Sequence, residues 1–399
     1  MSESQSFSTS RSLTWEYPAL NETFIRDEEG DLDIEEAYVK ACKKLKILPS
    51  VHIKQSLRNP SLDLSMKGLG TKGLAAVLEA LLIYQQTIEL ILTNNSIGVE
   101  GLEILQQFLT SPSIRVMQLN ISMNQLKGGG FKLSEIILTS PCLTEIDLSN
   151  NGLLDRDITD IFIALASTPS VVKVNLSHNS ITERGGRDIG RMLNDTKLKD
   201  LDISWNELND KGAIAITDAL KQNTTLSKIN MGTNGLTGLV ALQVAQILTT
   251  SEKYQTLTSI DLSGNSLFDS KTGDNGICAI FTALQANSGV ILKELKMRGC
   301  VLGAKSIQLI PTALSHCVVL KLLDLREAKF CSQAKAIDVE GTKAMTLISP
   351  LESREEVEEL RRSTSELAKH CQVLFREEDV TVSSAYKEQS SSSSSSSLT

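Results

Sequence analysis

The side chains able to do acid–base, nucleophilic or metal chemistry are few and badly spaced for it. The four histidines, His52, His178, His316 and His370, include no His-Glu-x-x-His pair that would hold a metal on one helix face. None has a cysteine partner at a spacing that would activate a thiol. The seven cysteines, Cys42, Cys142, Cys278, Cys300, Cys317, Cys331 and Cys371, form no Cys-x-x-Cys pair, which supports neither a zinc site nor a disulfide frame. They read as buried free thiols of a reducing compartment. No Gly-x-x-x-x-Gly-Lys-Ser/Thr stretch is present to cradle phosphates, and Asp269, Asp274 and Asn275 lack the spacing of an EF-hand calcium loop. The expectation is a chain without catalytic residues, cofactor or metal, and not an enzyme.

What remains is recognition, and the elements that would position it announce themselves by repetition. The phrase Leu201-Asp-Ile-Ser-Trp-Asn-Glu-Leu208 recurs in variants about every 28 residues. Aligned on its asparagine, the series runs Lys67, Asn95, Asn124, Asn151, Asn179, Asn206, Asn234, Asn265, Cys300 and Ala328. Five places earlier stand Leu62, Leu90, Leu119, Ile146, Val174, Leu201, Ile229, Ile260, Leu295 and Leu323, and three places earlier another apolar residue, so a short strand points alternate side chains into one core. A buried asparagine can satisfy backbone groups where the chain leaves that strand. Lys67 and Ala328 cannot, as expected of degenerate repeats at the two ends. A helix follows each turn, as in Asp210 to Leu220, where Ile214, Ala215 and Leu220 are expected to face inward. The fold class is therefore α/β: a solenoid with parallel strands on its concave face and helices on its convex face.

With strands and turns placed, the outward letters can be read. Four before the asparagine position lie Asp63, Ile91, Asn120, Asp147, Asn175, Asp202, Asn230, Asp261, Lys296 and Asp324, and two before it a mostly serine column that ends in Arg298 and Arg326. The inner wall is small, polar and mildly acidic, turning basic at Lys296, Arg298 and Arg326. His178 and Trp205 occupy the same register in adjacent repeats, immediately before their asparagines, and an exposed tryptophan is a common interface anchor. The predicted partner-binding set is Asp147, Asn175, His178, Asp202, Ser204, Trp205, Asn230, Asp261, Lys296, Arg298 and Arg326.

Organisation follows from the same reading. Residues 1-33 are Ser-rich, then acidic, and expected to be disordered. Residues 34-60 form an N-terminal helical cap with Tyr38, Cys42 and Leu45 on one side, 61-350 hold about ten repeats, 351-380 a charged C-terminal helix, and 381-399 a disordered Ser-rich tail. Within 352-375, apolar residues at alternating steps of three and four make a narrow seam, read as a cap on the last repeat or a coiled-coil contact with another chain. Surface loops are expected near Ser251 to Gln255 and Phe268 to Gly276, where the repeat lengthens. The net charge of -8 sits mainly in Glu22 to Glu36, where eight carboxylates face Arg26; the rest nearly cancels, which removes the positive field that nucleic acid or an anionic membrane would need. No apolar run of 18 residues and no secretory signal in Met1 to Ser10 lead to an expected cytoplasmic location.

The phrases Val174-Asn-Leu-Ser-His-Asn179, Leu201-Asp-Ile-Ser-Trp-Asn206 and Ile260-Asp-Leu-Ser-Gly-Asn265, at this period, resemble ribonuclease-inhibitor-type leucine-rich repeats over about Ser61 to Ala328. The resemblance implies a horseshoe that binds a protein partner on its concave face. Ala37-Tyr-Val-Lys-Ala-Cys-Lys-Lys44, Leu48-Pro49, Gly68-Leu-Gly-Thr-Lys-Gly73 and Ile181 to Gly190 are similar, more narrowly, to leucine-rich repeat-containing protein 74, a group with no catalytic residues to carry over. The reading is a non-enzymatic protein-binding scaffold. Two alternatives stand beside it: a GTPase-activating protein of the Ran type, or a structural component of cilium or cytoskeleton.

Overall fold

The computed structural model describes residues 33–249, 256–268, 273–286, 289–331, 362 and 372–374. Each repeat spends three residues on a strand: β1 Ser61–Asp63, β2 Glu89–Ile91, β3 Gln118–Asn120, β4 Glu145–Asp147, β5 Lys173–Asn175, β6 Asp200–Asp202, β7 Lys228–Asn230, β8 Ser259–Asp261 and β9 Glu294–Lys296. After these come β10 Val301–Gly303, β11 Leu322–Asp324, β12 Lys329–Cys331 and β13 Gln372–Leu374. The central residue of every repeat strand is at most 2% exposed, while its two neighbours are exposed or half-buried, except Ser259 in β8 and Asp324 in β11, which are buried. That alternation is the period-2 geometry of a strand with one buried face. The strands pair in parallel without slip, Val174 against Leu201 and Leu201 against Ile229, giving the order β1 to β9, then β11 and β13.

Parallel neighbours require a crossover, supplied by α3 Gly70–Leu81, α4 Gly98–Leu109, α5 Gly130–Thr139, α6 Asp155–Ser167, α7 Glu183–Met192, α8 Asn209–Leu220, α9 Gly238–Thr249, α10 Asn275–Ala286 and α11 Ala304–His316. These helices pack side by side behind the sheet. Strands in a sheet lie about 4.8 Å apart and packed helices about 8–10 Å apart, so the two layers match only if the array bends with the strands inside. In α8 the buried residues are Ala213, Ile216, Thr217 and Leu220. Leu220 faces inward as expected and Ile214 packs partly buried against the core, while Ala215 stays half-buried at the flank, where the 3.6-residue period places it.

The asparagine series makes a continuous ladder. Asn206 Nδ2 donates to the carbonyls of Leu176 (3.1 Å), Ile203 (3.0 Å) and Ser204 (3.0 Å), and its Oδ1 accepts from Ile181 N–H (3.1 Å). One amide thereby closes its own turn and the turn of the preceding repeat. Asn95, Asn124, Asn151, Asn179, Asn234 and Asn265 make the same three donations. Cys300 keeps one of them, Sγ to Leu262 O at 3.4 Å. At the other end Lys67 contributes only its backbone N–H, donated to Asn95 Oδ1 (3.0 Å).

The open N-terminal edge is covered by α1 Ile34–Lys44, which lays Ile34, Ala37, Tyr38, Ala41 and Cys42 against α3, and by the short α2 Val51–Ser56. Leu45 packs partly buried on the same core. Tyr38 Oη accepts the Ser50 N–H (3.3 Å), and burial pushes this phenol up to about 12. At the C-terminal edge the structure departs from the expected helix over 352-375. Gln372 to Leu374 form β13, paired in parallel with β11, with Val373 packed partly buried against the core. An edge strand carries unpaired backbone groups that an added strand satisfies, which the charged helical pattern upstream does not reveal. The rest of that seam, a last helix after Ala336, the Ser251 to Gln255 loop, most of segment 1-33 and the serine tail lie outside the described residues.

Candidate protein-binding face

The strands bring eight of the eleven predicted residues to one wall or its exit rim, but they do not leave all of them free. At the strand ends, Asp147 Oδ1 accepts the Ser149 N–H (2.9 Å), Asn175 Oδ1 the Ser177 N–H (3.0 Å), and Asp202 Oδ1 the Ser204 N–H (2.9 Å). Asn230 and Asp261 repeat the contact with Gly232 and Ser263. Neighbouring letters also bond across strands, Asn175 Nδ2 to Asp147 Oδ2 (3.1 Å) and Asn230 Nδ2 to Asp202 Oδ2 (2.9 Å). The Asp/Asn alternation is thus a polar ladder, with one oxygen of each residue committed to its turn. At Asp63, hydrogen bonds from Ser65 hold the carboxyl below the usual carboxylate range.

Ser204 departs from expectation. It is 6% exposed, and its hydroxyl donates to Asp202 Oδ1 at 2.7 Å, so it braces the ladder instead of facing a partner. The basic end is also altered. Arg326 forks onto the buried Asp324 through Nε (2.9 Å) and Nη2 (2.6 Å), and Arg298 reaches Glu327, whose carboxyl is held low by that contact. Lys296 remains half-exposed on β9. A bidentate arginine offsets a carboxylate in place, so this end is less basic than its letters suggest.

His178 and Trp205 do come together. Their rings stack with centroids 4.8 Å apart and planes at 13°, and Trp205 is 54% exposed. Both backbones are left-handed, φ 55° and 54°, conformations that side chains other than Gly, Asn and Asp adopt at a cost. The cause is the turn itself. Trp205 N–H donates to Gly232 O (2.8 Å) and His178 N–H to Ser204 O (3.0 Å), extending the inter-strand ladder past the strand ends. The same backbone recurs at Met66, Asn94, Met123, Asn150, Thr233, Gly264, Gly299 and Glu327, so every repeat presents one residue at this rim. Met66 and Met123 are exposed there too.

The outward row missed at the sequence level stands at the first strand residue: Glu89, Gln118, Glu145, Lys173, Asp200 and Lys228. Period-2 alternation, carried two residues further back from the Asp/Asn column, would have found it. Glu145 accepts from Lys173 Nζ at 3.0 Å, which raises the lysine, and burial pushes Asp200 above the usual carboxylate range against the pull of Lys228 and Lys173. A groove of about 280 Å³ opens on this wall between Glu89, Glu145, Asp147 and Lys173. The thiols are not part of it. Cys42, Cys300 and Cys317 are buried thiols outside any disulfide, and burial pushes all three up, Cys300 to about 12, the opposite of a reactive thiolate. Among the described residues no helix is long and apolar enough to cross a membrane.

The family model described as Leucine Rich repeat matches residues 194–216, the stretch running from the lead-in of β6 into α8. Ribonuclease inhibitor of Sus scrofa is 31% identical over 216 residues, covering 53% of this chain and 45% of that protein. NACHT, LRR and PYD domains-containing protein 3 of Homo sapiens is 28% identical over 258 residues, 64% of this chain and 24% of that one. The chain therefore spans under half the length of either relative. Among solved structures, the leucine-rich repeat-containing protein LegL7 from Legionella pneumophila aligns over 88% of both chains at 18% identity and a TM-score of 0.43, too distant to add to the fold. Ten in-phase strands, the asparagine ladder and these relatives agree: the repeats are leucine-rich repeats, similar to those of ribonuclease inhibitor.

Proposed function

We propose that the chain is a non-enzymatic, cytoplasmic interaction scaffold that takes a protein partner on its sheet face, centred on repeats three to seven. The observation that carries this is the His178–Trp205 stack: the largest side chain available is held half-exposed on a backbone that costs roughly 1–2 kcal/mol to place it there. Nothing in the fold requires an aromatic at that point, since other repeats place Asn, Thr or Gly in the same register. Large rigid aromatics beside a polar floor are the composition of an interface hot spot. Within its family we place the chain beside leucine-rich repeat-containing protein 74, on the phrases quoted above.

The test is capture from native cytosol with the full chain, compared with Trp205→Ala and Lys173→Glu. The expected result is a partner held by the wild type and reduced at least ~10-fold by Trp205→Ala, with an unchanged melting temperature. Retention by both variants would remove the sheet face from the reading. A GTP hydrolysis assay with small GTPases separates the Ran-type alternative, and no acceleration is expected.

A further inference from the structure

The helical face of the solenoid takes no part in that function, and across α6, α7 and α8 it gathers a row of cations. In the first turns of α6, α7 and α8, five residues after the asparagine position, stand Arg156, Arg184 and Lys211. Arg187 and Arg191 continue the row along α7; at steps of three and four they share one stripe with Arg184. All five are exposed. Arg156, Arg184 and Arg187 form no ion pair among the described residues, and Lys211 pairs with Glu183 at 3.4 Å while staying 74% exposed.

Three carboxylates of the same helices are turned toward the neighbouring repeat. Asp155 accepts from the Thr182 N–H (2.7 Å) and hydroxyl (2.6 Å), Asp210 from the same two groups of Thr237, and Asp188 from the Thr159 hydroxyl (2.9 Å). Asp155 and Asp210 thus register the helices, Asp188 also pairs with Arg191 (3.0 Å), and Arg156, Arg184 and Arg187 are left facing solvent. The cations do not help the helices. A positive charge in a first turn sits at the positive end of the helix dipole. α7 is already a poor helix former, with Gly185, Gly186 and Gly190 in ten residues. Those glycines are dictated by packing: a Cβ on Gly186 would lie 2.7 Å from Gly212 Cα, and one on Gly190 2.5 Å from Ala215 O. The arginines have no such reason.

We propose that this basic row is a second docking face, for an extended acidic segment of a partner protein. Spacing decides the form of the segment. Adjacent packed helices set Arg156, Arg184 and Lys211 about 8–10 Å apart, and a chain in the extended polyproline II form advances about 3.1 Å per residue with about three residues per turn, so carboxylates at every third position fall on one side and match the row. A polypeptide is favoured over nucleic acid because the chain as a whole is negative, at -8, and only five cations are gathered here.

The test uses the full chain and a fluorescent peptide, (Glu-Ser-Ala) repeated four times, followed by anisotropy. Binding is expected to weaken with salt and to drop at least ~10-fold in the triple variant Arg156→Glu, Arg184→Glu, Arg187→Glu. The melting temperature should be unchanged or higher, since glutamate suits a first turn. Arg184→Gln with Arg187→Gln, which adds no new charge, should show a smaller loss in the same direction. A peptide of the same composition with its glutamates contiguous should bind more weakly, and Trp205→Ala should bind as the wild type does. No binding by the wild type, equal binding by the triple variant, loss on Trp205→Ala, or tighter binding of a dodecamer of thymidylate than of the peptide would each overturn the proposal.

Discussion

Asn206 and Trp205 are neighbours in the chain, yet the columns they belong to obey opposite rules. The column of Asn206 holds the same side chain in seven consecutive repeats, because its amide is buried and must supply three donations and an acceptor to backbone groups that have no other partner. The column of Trp205 holds Met, Asn, His, Trp, Thr, Gly and Glu, because only its backbone is specified: a left-handed φ and one N–H donated to the next repeat. Fixed chemistry lies directly behind variable chemistry. A solenoid of this kind can change what its rim recognises without touching what holds it together, and the side chain at the rim is the part released from structural duty.

Three substitutions sharpen or break that contrast. Asn206→Ala should have the largest effect, about 2–4 kcal/mol of lost stability, since it orphans buried carbonyls in two repeats at once. Chemical denaturation would measure it, with Cys300→Ala as the reference; Cys300 makes one sulfur contact and should lose under about 1 kcal/mol. Equal losses at both sites would mean that the ladder is not the source of stability. Trp205→Gly comes next, with an expected change within about 0.5 kcal/mol, because the lost stack on His178 is offset by a residue at ease with φ 54°. A melting shift as large as that of Asn206→Ala would show the rim to be structural after all.

The smallest effect belongs to Asp200→Asn. Burial raises the Asp200 carboxyl above its unfolded value, so its contribution to stability is fully present below the ordinary carboxylate range and is lost as pH rises through the raised folded value. The asparagine variant should then be more stable by a few tenths of a kcal/mol near neutral pH, and the difference should vanish as pH falls below about 4. Thermal melts at the two pH values read the sign directly. An advantage that grows on acidification would contradict it.

How much of this was legible depends on which force set each feature. Repeat period, strand positions and the asparagine turn could be read because burial dictates them one residue at a time: an aliphatic at each strand centre and an amide at each turn. The role of Ser204 could not, because its burial depends on the carboxylate of Asp202 folding back over it. Arg326 reads as free positive charge until Asp324, two residues away, is seen to be buried beneath its guanidinium. The strand at Gln372 to Leu374 was hidden inside a helical pattern because what selects it is the open edge of β11.

The sequence by itself therefore determined the repeat, the α/β layering, the repeat family and the position of Trp205 in its register, since each follows from a local pattern repeated in phase. Only the tertiary structure decided which outward letters stay available. It stacked Trp205 on His178, tied the Asp/Asn column into its turns, paired the arginines at the C-terminal end, and lined up Arg156, Arg184 and Lys211 across three helices. Those outcomes depend on distances between residues about 28 positions apart, and such distances exist only once the repeats are stacked.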